Sequence, residues 1–240
     1  MRKGSAGDVP LKWYAPGEGV VEVLLGYHLT MEGIGYEYFA ANPEVSHGYL
    51  YGPVSKLLAG FPEKTLVVDL GCGNGTFISL FRDRGWELYG SDFSPTAIEI
   101  AKQHFPGIRF SLADAQSLSG ELTDKLGTFD VVISTEVIEH VYNPRGFLQT
   151  CNNLLKPGGT LVLTTPYHGY LKNVMLAVTG KLDGHFTVLW DHGHIKFWSV
   201  RTISAVLEEM GFGEIEVTGG GRIPYLWKSM VVRAKKVASV

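Results

Sequence analysis

Val67-Val68-Asp69-Leu70-Gly71-Cys72-Gly73-Asn74-Gly75-Thr76 decides how this chain is read. A β-branched apolar run beginning at Thr65 ends in glycines at alternate positions. That is the pattern of a buried strand giving way to a tight turn that brings backbone close to a bound group. Two phosphate-binding loops are excluded by the spacing. A dinucleotide fingerprint needs a third glycine where Thr76 stands, and no Gly-Lys-Ser/Thr follows to make a P-loop. The turn suits a ligand whose middle is not a pyrophosphate.

Downstream, strand and helix signals alternate. Thr76 to Arg84 has helical spacing, with Phe77, Ile78, Leu80 and Phe81 toward a sheet. Trp86 to Ser91 reads as a second strand ending at Asp92, and Ser94-Pro95 opens a helix to about His104 with a cap residue and a first-turn proline. Ile108 to Ala113 is a third strand followed by Asp114, and Phe129 to Ser134 a fourth. Pro144 to Leu155 is a helix, Lys156 to Gly159 a turn, Thr160 to Thr165 a fifth strand and Ser199 to Met210 a capped helix. Two further strands fall at 212–218 and 226–233. The alternation predicts an α/β chain with a Rossmann-like, doubly wound, mostly parallel seven-stranded sheet and helices on both faces. Residues 1–60 read as an N-terminal helical cap with Trp13-Tyr14, Tyr49 and Tyr51 near a ligand mouth. The main domain is 61–240, and 166–198 is an insertion after strand five.

Composition narrows the class. The 240 residues are 45% hydrophobic and 19% charged with a formal net charge of −3, so no global attraction to nucleic acid exists. Cys72 and Cys151 cannot build a disulfide framework, which suits a reducing compartment. No apolar run approaches the roughly 18 residues of a membrane span, and the first residues lack the apolar core of a secretory signal, so a cytoplasmic protein is expected. The basic tail Lys228, Arg233, Lys235 and Lys236 reads as a solvated edge strand.

In a doubly wound sheet the ligand lies beyond the carboxyl ends of the strands. Asp92, at the end of strand two, is placed to accept two hydrogen bonds from a ribose diol. Asp114, at the end of strand three, is placed to accept one from a nucleobase amino group. With the glycine turn, these residues describe a nucleoside joined to an uncharged or cationic linker. The dull alternatives are that Asp92 caps the next helix and Asp114 a turn.

Val67 to Gly75, Gly90-Ser91-Asp92-Phe93-Ser94, Ala113-Asp114-Ala115, Phe129 to Val132 and Leu154 to Gly159 together resemble the ordered motifs of class I S-adenosylmethionine-dependent methyltransferases, over about residues 64–166. The resemblance implies S-adenosylmethionine as cofactor. By it, Asp69 and the loop Gly71, Cys72, Gly73, Asn74 and Gly75 hold the methionine part and Asp92 the ribose. Asp114, Ala115 and Phe93 frame the adenine, and Glu136 belongs to the cofactor's surroundings. Cys72 then is a small residue beside the cofactor, and Cys151 is core.

After strand four comes Ser134-Thr135-Glu136-Val137-Ile138-Glu139-His140-Val141. The Asn/Asp-Pro-Pro-aromatic run typical of amine- and amide-directed relatives is absent, which argues against a nucleic-acid base as acceptor. Glu-Xaa-Xaa-Glu-His is similar to the ubiquinone-biosynthesis O-methyltransferases and related small-molecule enzymes. The resemblance implies two roles here. Glu136, Glu139 and His140 are a candidate set for a divalent cation such as Mg. Without a cation, the commoner case, His140 is a catalytic, acceptor-side wall.

The connection 166–198 is long for a compact sheet and therefore reads as functional. Its Tyr167, Tyr170, His185-Phe186, Trp190 and Phe197-Trp198 suit an apolar or aromatic acceptor, or packing on the N-terminal region or a dimer partner. His192 and His194 alternate, too few for a zinc site, and His194, flanked by Ile195 and Phe197, is the preferred base. The expected activity is O-methylation of a small apolar or aromatic molecule by a monomer or homodimer. N- or C-methylation and a non-catalytic cofactor-binding subunit are the alternatives. An NAD-dependent oxidoreductase is disfavoured by Thr76 and by the missing Tyr-Xaa-Xaa-Xaa-Lys.

Overall fold

The computed structural model describes residues 45–115, 120–125, 127–186 and 193–237. Its elements run α1 (Val45–Leu57), β1 (Leu66–Leu70), α2 (Thr76–Ser79), β2 (Glu87–Asp92), α3 (Pro95–His104), β3 (Arg109–Leu112), β4 (Phe129–Thr135), α4 (Pro144–Leu154), β5 (Leu155–Pro166), α5 (Tyr170–Val178), α6 (Leu182–Phe186), α7 (Val200–Glu209), β6 (Phe212–Gly220) and β7 (Ser229–Lys236). The seven strands form one sheet in the order β3-β2-β1-β4-β5-β7-β6. Strands β1 to β5 are parallel, while β7 runs antiparallel to both of its neighbours.

Strand β1 is central because alternate residues of its apolar run serve opposite faces. Val67 joins Phe77, Ile78, Phe110 and Val131 on one side, under α1 to α3. Val68 joins Val132, Phe147, Leu148 and Leu207 on the other, under α4 and α7. Each fully buried side chain of this kind contributes roughly 1.5–3 kcal/mol relative to an exposed one. The order in which strands are added reverses at β1, which pairs with β2 on one edge and β4 on the other, so a ligand crevice opens at their carboxyl ends.

The helix starts follow local chemistry. The Ser94 side chain accepts a hydrogen bond from the Ala97 N–H and Pro95 opens α3. Asn143 caps α4 through the Gly146 N–H, and Ser199 with Thr202 forms a capping box on α7.

Three local expectations are revised. The helix predicted over Thr76 to Arg84 is α2 followed by a 3-10 turn at Arg82–Arg84. The chain tightens through the Leu80 N–H to Phe77 and the Phe81 N–H to Ile78 carbonyls, so Phe77, Ile78 and Phe81 stay buried while Leu80 turns outward. The turn predicted at Lys156 to Gly159 lies inside β5, as an irregularity where the β4 register jumps from Leu155 to Thr160. The basic strand β7 is interior, and β6 is the edge. Arg233 and Lys235 pair with Glu216 and Glu214, while the Lys236 ammonium donates to the Asn152 and Leu155 carbonyls.

Of the expected N-terminal cap, Trp13 and Tyr14 lie outside the described residues. Helix α1 packs Leu50 and Val54 into the same core as β1, with Leu58 just beyond its end. The Tyr49 and Ser229 hydroxyls lie 3.3 Å apart, and Tyr51 packs on Phe81. Among the described residues no helix is long and apolar enough to cross a membrane.

Candidate functional site

A cavity of about 290 Å³ opens at the carboxyl ends of β1, β2 and β4. The glycine turn forms its floor. Gly71, Gly73 and Gly75 all have positive φ, at 80°, 53° and 78°, a region that costs other residues about 1–2 kcal/mol. A Cβ on Gly71 would lie 2.6 Å from Val137, and one on Gly75 would lie 2.7 Å from Phe110. The turn is pinned from outside: the Gly71 and Cys72 N–H groups donate to the Ser91 carbonyl at 2.8 and 2.9 Å, and the Asn74 side chain accepts from the Thr76 hydroxyl at 2.7 Å.

Two buried carboxylates stand behind the turn. Asp92 accepts from the Gly73 and Ser94 N–H groups, both at 2.9 Å, so it braces the turn and caps the next loop. Burial raises its pKa against the pull of those donors. Asp69 is fully buried, and neither of its oxygens finds a hydrogen-bond partner among the described residues. Burial first, and the Asp92 charge second, push its carboxyl up to about 8. Orphaned buried acceptors of this kind call for a donor, and two adjacent acids for a cationic one. A ligand with an ammonium, a sulfonium and a ribose diol meets that demand, so the residues present fit S-adenosylmethionine.

The other expected cofactor residues are distributed unevenly. Cys72, Phe93 and Ala115 line the cavity, together with Ala113. Asp69, fully buried, and Gly75 lie behind the lining, and Asp114 is exposed and outside it. Burial beside Asp92 and Asp69 raises the Cys72 thiol well above its ordinary range, which removes it as a nucleophile. Cys151 is a buried core thiol.

The far wall comes from the exit of β4. Glu136, at φ 53°, lines the cavity, but its carboxylate accepts from the Thr164 hydroxyl at 2.7 Å and the Ser229 hydroxyl at 3.0 Å. It does not join Glu139 and His140. The donor atoms that gather within 4.8 Å of one another are those of Glu139, His140 and His194. Their meeting has a backbone cause, since the Ile195 and Lys196 N–H groups both donate to the Glu139 carbonyl, at 2.9 and 3.0 Å. That clamp sets the His140 and His194 rings 4.9 Å apart on the cavity wall. Burial, then His140 and His185 nearby, lower the His194 pKa to about 4, so its imidazole is neutral near pH 7. His192 lies outside the described residues.

Ser46 and His47 of α1 also line the cavity. The His47 ring packs 5.2 Å from Phe77, and burial holds its pKa down at about 4. Nothing in the local sequence marks His47, because only the folding of α1 over β1 brings it to the turn.

A family model described as a methyltransferase domain matches residues 46–217. The chain belongs to that family. Among curated relatives it is 29% identical over 171 residues to a ubiquinone biosynthesis O-methyltransferase of Cereibacter sphaeroides, a match spanning 67% of this chain and 65% of the relative. It is 36% identical over 114 residues to one from Rhodopseudomonas palustris, covering 48% of this chain and 44% of the relative. The first match therefore reaches just under two thirds of that relative's length. Solved structures share the fold. A Haloferax volcanii methyltransferase in complex with its Trm112 activator matches with TM-score 0.59 at 19% identity, over 77% of this chain and 89% of the other. A SAM-dependent methyltransferase of Thermotoga maritima, described as a possible histamine N-methyltransferase, matches with TM-score 0.60 at 18% identity, over 79% and 91%.

Proposed function

We propose that this chain transfers the methyl group of S-adenosylmethionine to a hydroxyl oxygen of a small apolar or aromatic acceptor. The observation carrying the reading is the His140–His194 pair, set in the wall of the cavity whose floor is the glycine turn. When bound, S-adenosylmethionine supplies a methyl group already activated on sulfur. The chain therefore has to hold the acceptor in line, exclude water and take one proton. Asp69 and the turn would hold the methionine ammonium, Asp92 the ribose, and Phe93 with Ala113 and Ala115 the adenine. Neutral His194 accepts the hydroxyl proton at the acceptor oxygen, and His140 fixes the orientation of the His194 ring.

A second reading has one observation in its favour, the convergence of Glu139, His140 and His194. One carboxylate and two imidazoles suit a borderline divalent cation, which would acidify the acceptor hydroxyl in place of a base.

Labelled methyl transfer into a panel of phenols, amines and carbon acids tests the first reading, with label on oxygen as the expected result. Label on nitrogen or carbon alone would overturn it. Exhaustive chelation separates the two readings: full turnover is expected for the base, and loss restored by added cation would establish the metal.

A further inference from the structure

Behind His194 the connection after β5 holds a group of basic side chains that the proposed chemistry does not use. His168 is 6% exposed, and its ring lies 4.9 Å from His185, stacked on Phe186 at 5.9 Å and edge-on to Phe197 at 5.0 Å. Lys172 is also 6% exposed, its ammonium donating to the Lys228 carbonyl at 3.2 Å. Among the described residues, Nε2 of His185 finds no hydrogen-bond partner, and the His168 ring is left to a weak interaction with the Asn173 side chain.

The charges acting on these groups are mostly of their own sign. Burial, then His185, Lys172 and His194, depress His168 to about 3. Burial and Arg222 bring Lys172 to about 8 against the pull of Glu136. Glu136, whose charge acts on Lys172, also accepts from the Thr164 and Ser229 hydroxyls. With both imidazoles neutral near pH 7, the buried cation is the Lys172 ammonium. A buried ammonium is costly unless an anion joins it, and the surrounding aromatic rings strengthen any such pairing by excluding water. The side chains of His168, Lys172 and His185 lie behind the cavity lining, and His194, which is part of that lining, acts electrostatically on His168 and His185.

We propose that the acceptor carries an anionic group, a carboxylate or a phosphate, held by His168, Lys172 and His185 while its hydroxyl faces His140 and His194. The assignment rests on the methyl-acceptor reading above and names the acceptor's class within it. A plain structural tether from Lys172 to β7 predicts no such preference.

The test uses the full chain saturated with S-adenosylhomocysteine and measures equilibrium binding of 3- and 4-hydroxybenzoate, their methyl esters and 4-hydroxyphenyl phosphate. At least one anionic phenol is expected to bind tenfold or more tightly than its neutral ester, and the benzoate-to-phosphate ratio tells which anion the site takes. Lys172→Met should erase that preference and Lys172→Arg should retain it, with S-adenosylhomocysteine affinity unchanged in both. Equal binding of acid and ester overturns the proposal. So does a loss of S-adenosylhomocysteine affinity in Lys172→Met, which would assign the group to the cofactor's own carboxylate. Anion-selective binding without methyl transfer to the phenol leaves this inference standing and removes the O-methylation reading instead.

Discussion

The two sides of the cavity are built differently. The cofactor side, β1 to β3 and their loops, is made largely of backbone: three glycines at positive φ and N–H groups pinned to Ser91 and Asp92, backed by one buried acid in β1 and one at the end of β2. The acceptor side is made of side chains from distant parts of the chain, with His140 and His194 joined through a backbone clamp on Glu139. Backbone geometry admits few substitutions, whereas side-chain walls exchange readily without disturbing the fold. Under the proposed function, one side is fixed for a common cofactor and the other is free to choose an acceptor.

The largest effect expected from breaking this division is on chemistry alone. His194→Ala should lower kcat/KM by about 10²–10⁴-fold, the usual worth of a positioned base, while S-adenosylhomocysteine affinity stays unchanged. Near-normal turnover would remove His194 as the base. Gly71→Ala should show the converse pattern. It places a Cβ 2.6 Å from Val137 at φ 80°, a clash and backbone strain together costing about 2–4 kcal/mol. Cofactor affinity and thermal stability should fall together in a melt with and without ligand. An unchanged melt would show that the turn is looser than its hydrogen bonds indicate.

The same division explains what was legible in the sequence. Strand positions, the caps at Ser94 and Ser199, and the Asp69 to Gly75 turn depend on neighbours in the chain, and periodicity and spacing expose them. The break after α2 was hidden because Phe77, Ile78 and Phe81 fit a helical period and the need to bury all three appears only in the packed sheet. Glu136 and Glu139 share a spacing that suggests one ligand set. Thr164 and Ser229, from two other strands, draw Glu136 away, and residues near 195 bring His194 in its place. His47 and the His168–His185 pair are tertiary products with no local signal.

Acidity sharpens the comparison on the cofactor side. Asp69 sits at about 8 when no cation neutralises it, so near pH 7 it is mostly protonated. A raised acid favours the folded protein at low pH, and that contribution fades as pH climbs from the ordinary carboxyl value toward 8. In the proposed placement, an ammonium bound beside Asp69 displaces that proton. S-adenosylhomocysteine affinity should therefore rise with pH, approaching tenfold per unit between about pH 5.5 and pH 7.5, with a buffer-dependent binding enthalpy that reports proton release. Asp69→Asn should flatten the profile. A flat wild-type profile would place the ammonium elsewhere.

The smallest expected effect lies on the outer face of α5, where the usual pattern is inverted. Lys172 is the residue buried, whereas Tyr170, Leu171, Val174, Met175 and Val178 are exposed. Those apolar side chains contribute little to folding, because stabilisation scales with surface removed from water. Leu171→Ser should shift stability by no more than about 0.5 kcal/mol, or about 1–2 °C in Tm. Leu148→Ala, in the core under α4, should cost about 2–5 kcal/mol. If Leu171→Ser instead approaches the core value, α5 is packed against another part of the chain. The acceptor side would then be as constrained as the cofactor side, and its freedom to vary would be lost.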